Sequence, residues 1–178
     1  RTSFMATEQT DNSNQKSDIS LYYTRFIGGN WYLKTDLNGS RNTELGLNWR
    51  VLYGGSVGHA FIKKVFSRFE GGIGVYYNGE NSLDTTLIVS SVESAFTMSF
   101  RKLKYDSPKI DIFTQLTIYP SLTESGRVRG QYDFQTNFEI VKDFYIGADF
   151  YLSYDNKPIS ETGATLDYGI VGKIGYSF

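Results

Sequence analysis

Residues 164–178, ATLDYGIVGKIGYSF, decide the fold. Ala164, Leu166, Tyr168, Ile170, Gly172, Ile174, Tyr176 and Phe178 share one parity, and Thr165, Asp167, Gly169, Val171, Lys173, Gly175 and Ser177 the other. Successive strand side chains point to opposite faces, so this is a long strand with one apolar and one largely polar face. It ends on an aromatic ring. Bacterial outer-membrane barrels close with such a strand and set aromatic rings at the membrane interface.

Working back from that strand, the same alternation recurs. Phe144 to Tyr154 and Val128 to Ile140 set apolar residues against Asp149, Tyr151, Arg129, Asp133 and Glu139. Ile110 to Ile118, Ile88 to Phe100, Val65 to Tyr77, Leu45 to Val57 and Trp31 to Leu37 follow suit, and Ile19, Leu21 and Tyr23 begin another strand. Arg1 to Thr7 reads as a first strand or its remnant. From Trp31 onward no Asp, Glu, Lys or Arg falls on the apolar face of these eight strands, although 21% of the chain is charged. A random placement would put a charge at about one position in five, and lipid supplies a cause for the exclusion, since Arg or Lys at mid-bilayer costs about 2–4 kcal/mol.

Short connections are expected at Gly28 to Asn30, His59 to Lys64 and Val141 to Asp143, and polar loops at Glu8 to Ser17, Tyr77 to Thr86 and Asp155 to Gly163. The Lys102 to Lys109 link is long for the short-turn side. The expectation is a single all-β domain over residues 1–178: a transmembrane antiparallel up-and-down β-barrel of about ten strands in the bacterial outer membrane.

Composition narrows the function. A net charge of −1 offers no basic field for nucleic acid, and the absence of cysteine removes disulfides, thiolate metal sites and cysteine nucleophiles. Fourteen Tyr, 13 Phe and 18 Gly against 3 Pro suit long strands with aromatic belts and tight turns.

From about Lys16 to Phe178 the chain resembles the YdiY-like family of salt-induced outer-membrane proteins, a domain of unknown function of the DUF481 type. The motifs carrying the resemblance are LYGGSVG (Leu52 to Gly58), EGGIGVYY (Glu70 to Tyr77), YPSLTES (Tyr119 to Ser125) and the ending YLSYDNKP…LDYGIVGKIGYSF. The resemblance implies an outer-membrane barrel, about twelve strands in a complete member, and no catalytic residues or cofactor. It also implies that the closing strand, through Phe178, Tyr176 and Ile174, is engaged by the barrel-assembly machinery.

The inward charges are Lys34, Arg50, Arg68, Glu70, Glu93, Arg101, Asp111, Arg129, Asp133, Glu139, Asp149, Asp167 and Lys173. Acid/base or metal chemistry is one use for such a set. An ion-pair network filling a polar lumen is the simpler one, because cations and acids share the face. Gly46, Gly54, Gly58, Gly72 and Gly74 leave a bare inner patch, either for curvature or as room for a plug, ligand or pore. His59, the one histidine, is expected in a link between strands.

The expected function is a narrow or plugged outer-membrane barrel, structural or related to envelope stress, with outer-membrane lipids around it and another envelope protein docking on its loops. A small-solute pore, a lipid-modifying enzyme and a soluble ligand-binding barrel are the alternatives. Deleting Phe178 is expected to lower the yield of inserted protein, measured as the heat-modifiable fraction on gels. Insertion at the full-length level would remove the assembly role.

Overall fold

The computed structural model describes residues 2–10, 15–43, 45–83, 88–141, 143–160 and 163–176, with side chains from residue 16 onward. Ten strands follow one another: β1 (Thr2–Thr10), β2 (Gln15–Gly28), β3 (Trp31–Asn42), β4 (Leu47–Lys64), β5 (Ser67–Ser82), β6 (Ile88–Lys104), β7 (Ile110–Pro120), β8 (Val128–Val141), β9 (Phe144–Asp155) and β10 (Leu166–Tyr176). They form one antiparallel sheet in sequence order. This is the all-β up-and-down arrangement that the alternation predicts, with the expected number of strands.

The sheet is rolled. Among the described residues no ladder joins β1 to β10, yet side chains from distant strands meet inside the roll: Asn42 of β3 donates to the Asp167 carboxylate of β10 at 2.7 Å, and Lys16 of β2 reaches the same group at 3.5 Å. The outward face carries Leu33, Leu37, Val51, Tyr53, Ile73, Val75, Phe96, Met98 and Ile170, all exposed. Outward charges lie near strand ends: Arg41 towards the long loops, Arg25, Lys64, Lys102 and Lys104 towards the short turns.

Several strand ends differ from expectation. β1 and β2 pair as far as Thr10 and Gln15, so much of the Glu8 to Ser17 stretch is ladder, not loop. β3 continues through Gly39 to Asn42. β5 runs on through Asn78–Ser82, where Asn78, Glu80 and Ser82 keep the inward parity of Tyr76 and are buried. His59 is not in a link. It lies within β4, opposite Trp31 and Gly71, and the turn comes only at Val65 and Phe66. The ladder hydrogen bonds that β4 gains from β5 extend the hairpin past the residues whose pattern marked its end. Phe178 lies outside the described residues; Tyr176 and Ile174 lie on the exposed face of β10.

The inward glycines serve both purposes at once. A Cβ on Gly58 would stand 2.2 Å from the Tyr32 ring, so that ring occupies the space the glycine leaves. A Cβ on Gly54 would meet the Val75 carbonyl oxygen at 2.2 Å and Tyr76 Cα at 2.7 Å, which is backbone and cannot move aside. The wall curves tightly there, and Tyr76 packs inside it with Leu52, Ala95 and Tyr119 in the buried interior cluster. Tyr76 and Tyr119 meet edge-on at 6.1 Å. Over Gly54, Gly58 and Gly74 the bare patch is therefore filled by the sheet's own tyrosines, whereas Gly46 lies in the turn before β4 against Ser160.

Gly54→Val should destabilise the fold by about 1–3 kcal/mol or more, as overpacking against fixed backbone does. Gly172→Ala, where an added Cβ meets nothing within 4 Å among the described residues, should stay within about 0.5 kcal/mol of the parent. Denaturant midpoints of the two variants check this, and equal midpoints would contradict the close approach at Gly54.

Candidate functional site: the interior charge clusters

Strand alternation delivers charges to the interior, and the ladder decides which of them meet. Arg50 on β4 is opposite Glu80 on β5, and its guanidinium donates to that carboxylate at 2.6 and 3.0 Å. Asp155, at the end of β9, lies 3.6 Å from the same guanidinium. Arg127 precedes β8 in a tight loop: its N–H bonds the Glu124 carbonyl at 3.2 Å, and its carbonyl accepts from the Ser121 N–H at 2.9 Å. From there its side chain turns inward to pair with Glu80 and, at 2.7 Å, with Asp155. Asn156 and Lys157 hold this loop through Gly126 and Ser125 carbonyls at 2.8 and 2.6 Å.

One level deeper, Arg129 reaches across Tyr119, 5.0 Å over its ring, to form a two-pronged pair with Glu93. Asn78 and Ser91 add hydrogen bonds to that carboxylate at 3.4 Å. Three arginines thus face three buried carboxylates, with the partly exposed Glu124 also 3.2 Å from Arg127, and the balance is what allows the inner groups to be dry: Glu80 and Glu93 are 0% exposed and Arg127 and Arg129 are 3% and 2% exposed. Burial opposes the charge on Arg127, but the hydrogen bonds and charges of Asp155 and Glu80 outweigh it and push its pKa above the ordinary guanidinium value. It stays a cation at every accessible pH.

The remaining space between this cluster and the β2–β3 side is a cavity of about 30 Å³ bordered by Lys16, Asp18, Asn42, Arg50, Arg129 and Asp155. That is room for about two water molecules. Lys16 and Asn42 close it against Asp167, with the Lys16 ammonium 3.5 Å over the Tyr151 ring.

The other half of the interior is wetter. Arg101 pairs with Asp111 at 2.7 Å, Lys109 with Glu139 at 3.1 Å, Lys34 with Asp36 at 2.5 Å, Arg68 with Glu70, and Lys173 with Asp149. Arg101 and Lys173 side chains are 54% and 47% exposed. Most of the inward charges expected to share an ion-pair network are paired. The inward charges form separate clusters, because all but the longest side chains reach only their own or a neighbouring strand about 4.8 Å away. Asp133 makes no ion pair among the described residues.

Asp36 and Asp155, inward by the same alternation, belong to these clusters, as do Glu80, Arg127, Lys16 and Lys109, which the sequence-derived set lacks. Glu80 and Arg127 stand in stretches whose polarity reads as loop. Their signal was parity, since Glu80 continues the register of Tyr76 and Asn78, and Arg127 that of Arg129. His59 is apart from all of this, on the outward face between Trp31 and Phe61 at ring distances of 4.7 and 5.0 Å. Among the described residues no three His, Cys, Asp or Glu side chains gather as metal ligands.

Fold and interior together define an up-and-down antiparallel β protein with an apolar exterior and a charge-paired interior. The family described as a protein of unknown function, DUF481, matches residues 2–178, and the chain belongs to that family, the one to which its glycine-spaced motifs pointed. No curated protein and no solved structure shows a significant match.

Arg127→Ala would leave the buried Glu80 and Asp155 with Arg50 as the one cation between them and should cost about 3–5 kcal/mol. Lys173→Ala, which removes a solvated pair, should cost about 0–1 kcal/mol. Urea unfolding in detergent micelles measures both, and equal costs would contradict the division into a dry and a wet half.

Proposed function

We propose that this chain is an integral β-barrel of the bacterial outer membrane whose lumen is closed at the long-loop end, and that it serves as a structural or envelope-stress component with no catalytic role. The observation carrying the closed lumen is the cluster of Arg50, Arg127 and Arg129 with Glu80, Glu93 and Asp155, which borders a cavity of about 30 Å³ among the described residues. The membrane location is supported by the segregation of charge: lipid tolerates the exposed Leu33, Val51, Ile73, Phe96 and Ile170, and would penalise the inward arginines if they faced it. Outer-membrane lipids are then its surroundings, and the assembly machinery that engages closing strands is its partner during insertion. The absence of a catalytic role is supported by His59, which packs on the outward face between Trp31 and Phe61, away from the interior acids.

Small-solute passage is the second reading, favoured by the exposed Arg101 and Lys173 in the other half of the interior. Planar-bilayer recordings of inserted protein separate the two. The parent should be silent, and Arg129→Ala should admit ions because it removes the side chain that spans from β8 to Glu93. Steady conductance in the parent would establish the pore instead.

A further inference from the structure

Inward cations such as Arg50, Arg101 and Lys173 pair with acids, but the outward cations at the short-turn end do not. Lys64 closes β4, and Lys102 and Lys104 lie at the end of β6; all three are exposed, and none makes an ion pair among the described residues. The register sets Lys64 opposite Ser67 and Ser67 opposite Lys102. Directly paired residues share a face, so two ammonium groups flank one hydroxyl in a single row across three strands. Two residues along on that same face, Phe69 is opposite Phe100. Phe61 packs on Phe69 at 5.5 Å and on His59 at 5.0 Å, and His59 meets Trp31. An aromatic belt is thus followed, toward the chain's turns, by an uncompensated cationic row.

We propose that Lys64, Ser67 and Lys102 form a binding site for the headgroup of an anionic phospholipid in the leaflet at the short-turn end. This rests on the membrane reading above. Along this face, apolar residues, aromatic rings and cations come in the order in which a lipid presents its acyl chains, glycerol region and phosphate. The two ammonium groups pair with the phosphodiester, the Ser67 hydroxyl donates to it, and the acyl chains lie along Phe69 and Phe100. Lysine stems suit this position, because they cover apolar surface while the charge reaches the interface. A zwitterionic headgroup brings its own ammonium to the two lysines, so the site discriminates in favour of net negative lipid. Attraction of a basic side chain to an anionic leaflet is worth about fivefold in affinity per lysine.

The test uses the full chain, folded and inserted in bilayers, then released into detergent for native mass spectrometry with phosphatidylglycerol or phosphatidylcholine of equal chain length. The parent should retain phosphatidylglycerol about tenfold or more in preference, and Lys64→Gln/Lys102→Gln should bring that ratio close to one with the folded fraction unchanged. Ser67→Ala should lower it less, with no loss of fold. Equal retention of both lipids by the parent, an unchanged preference in the double variant, or displacement of the lipid by inorganic phosphate would each overturn the site. Failure of the membrane reading appears separately, as protein that carbonate releases from the bilayers without detergent.

Discussion

Each side chain in a paired strand has two directions available, and alternation forces its neighbours to the opposite one. The rest of this protein follows from that constraint. Once Tyr53, Ile73 and Phe96 are turned outward, Leu52, Gly72, Gly74 and Ala95 must turn in, and a charge such as Glu93 has nowhere to go but the interior. A shift of one residue in any pairing would exchange the two sets across the whole strand. The ladders are accordingly regular over most of their length, with irregularities near the ends, as at Ser40/Asn42 and Ala60/Ile62.

What fills the interior then depends on level. Midway along, Tyr32 and Tyr76 lie over glycines that leave them room, and Tyr76 hydrogen-bonds its hydroxyl to Asp36 at 2.8 Å. Toward the long loops, balanced arginines and carboxylates take over. Toward the short turns the same residue types are left in contact with water. Charge content is similar in both halves, so the difference between dry and wet comes from the loop of residues 121–127, which caps one end with Arg127, and from the length of β5, which carries Asn78 and Glu80 to meet it.

The fold was legible because its signal repeats. Outward positions of β8, from Val128 to Ile140, alternate with Arg129, Gln131, Asp133, Gln135, Asn137 and Glu139 without a break, and both faces stand where the alternation put them. Strand ends were less legible. A buried polar run such as Asn78–Ser82 has the composition of a turn, and beyond its parity it is the ladders to β4 and β6 that distinguish it from one. Partner choice inside the roll was not legible at all. Periodicity assigns Arg129 a direction but not a distance, and its carboxylate at Glu93 is set by the curvature that brings β6 and β8 together over Tyr119.

That curvature separates the interior contacts into two kinds with different histories. Arg101 with Asp111 joins neighbouring strands, so it is available to an isolated flat hairpin. Arg50 with Asp155, Arg127 with Glu80, and Lys16 with Asp167 join strands that a flat sheet holds far apart. The second kind cannot exist until the sheet has bent, and Arg127 cannot complete its set until Asp155 at the end of β9 has arrived. The charge cluster is therefore a latch that only the bent sheet can close, and it fixes the radius of the finished roll.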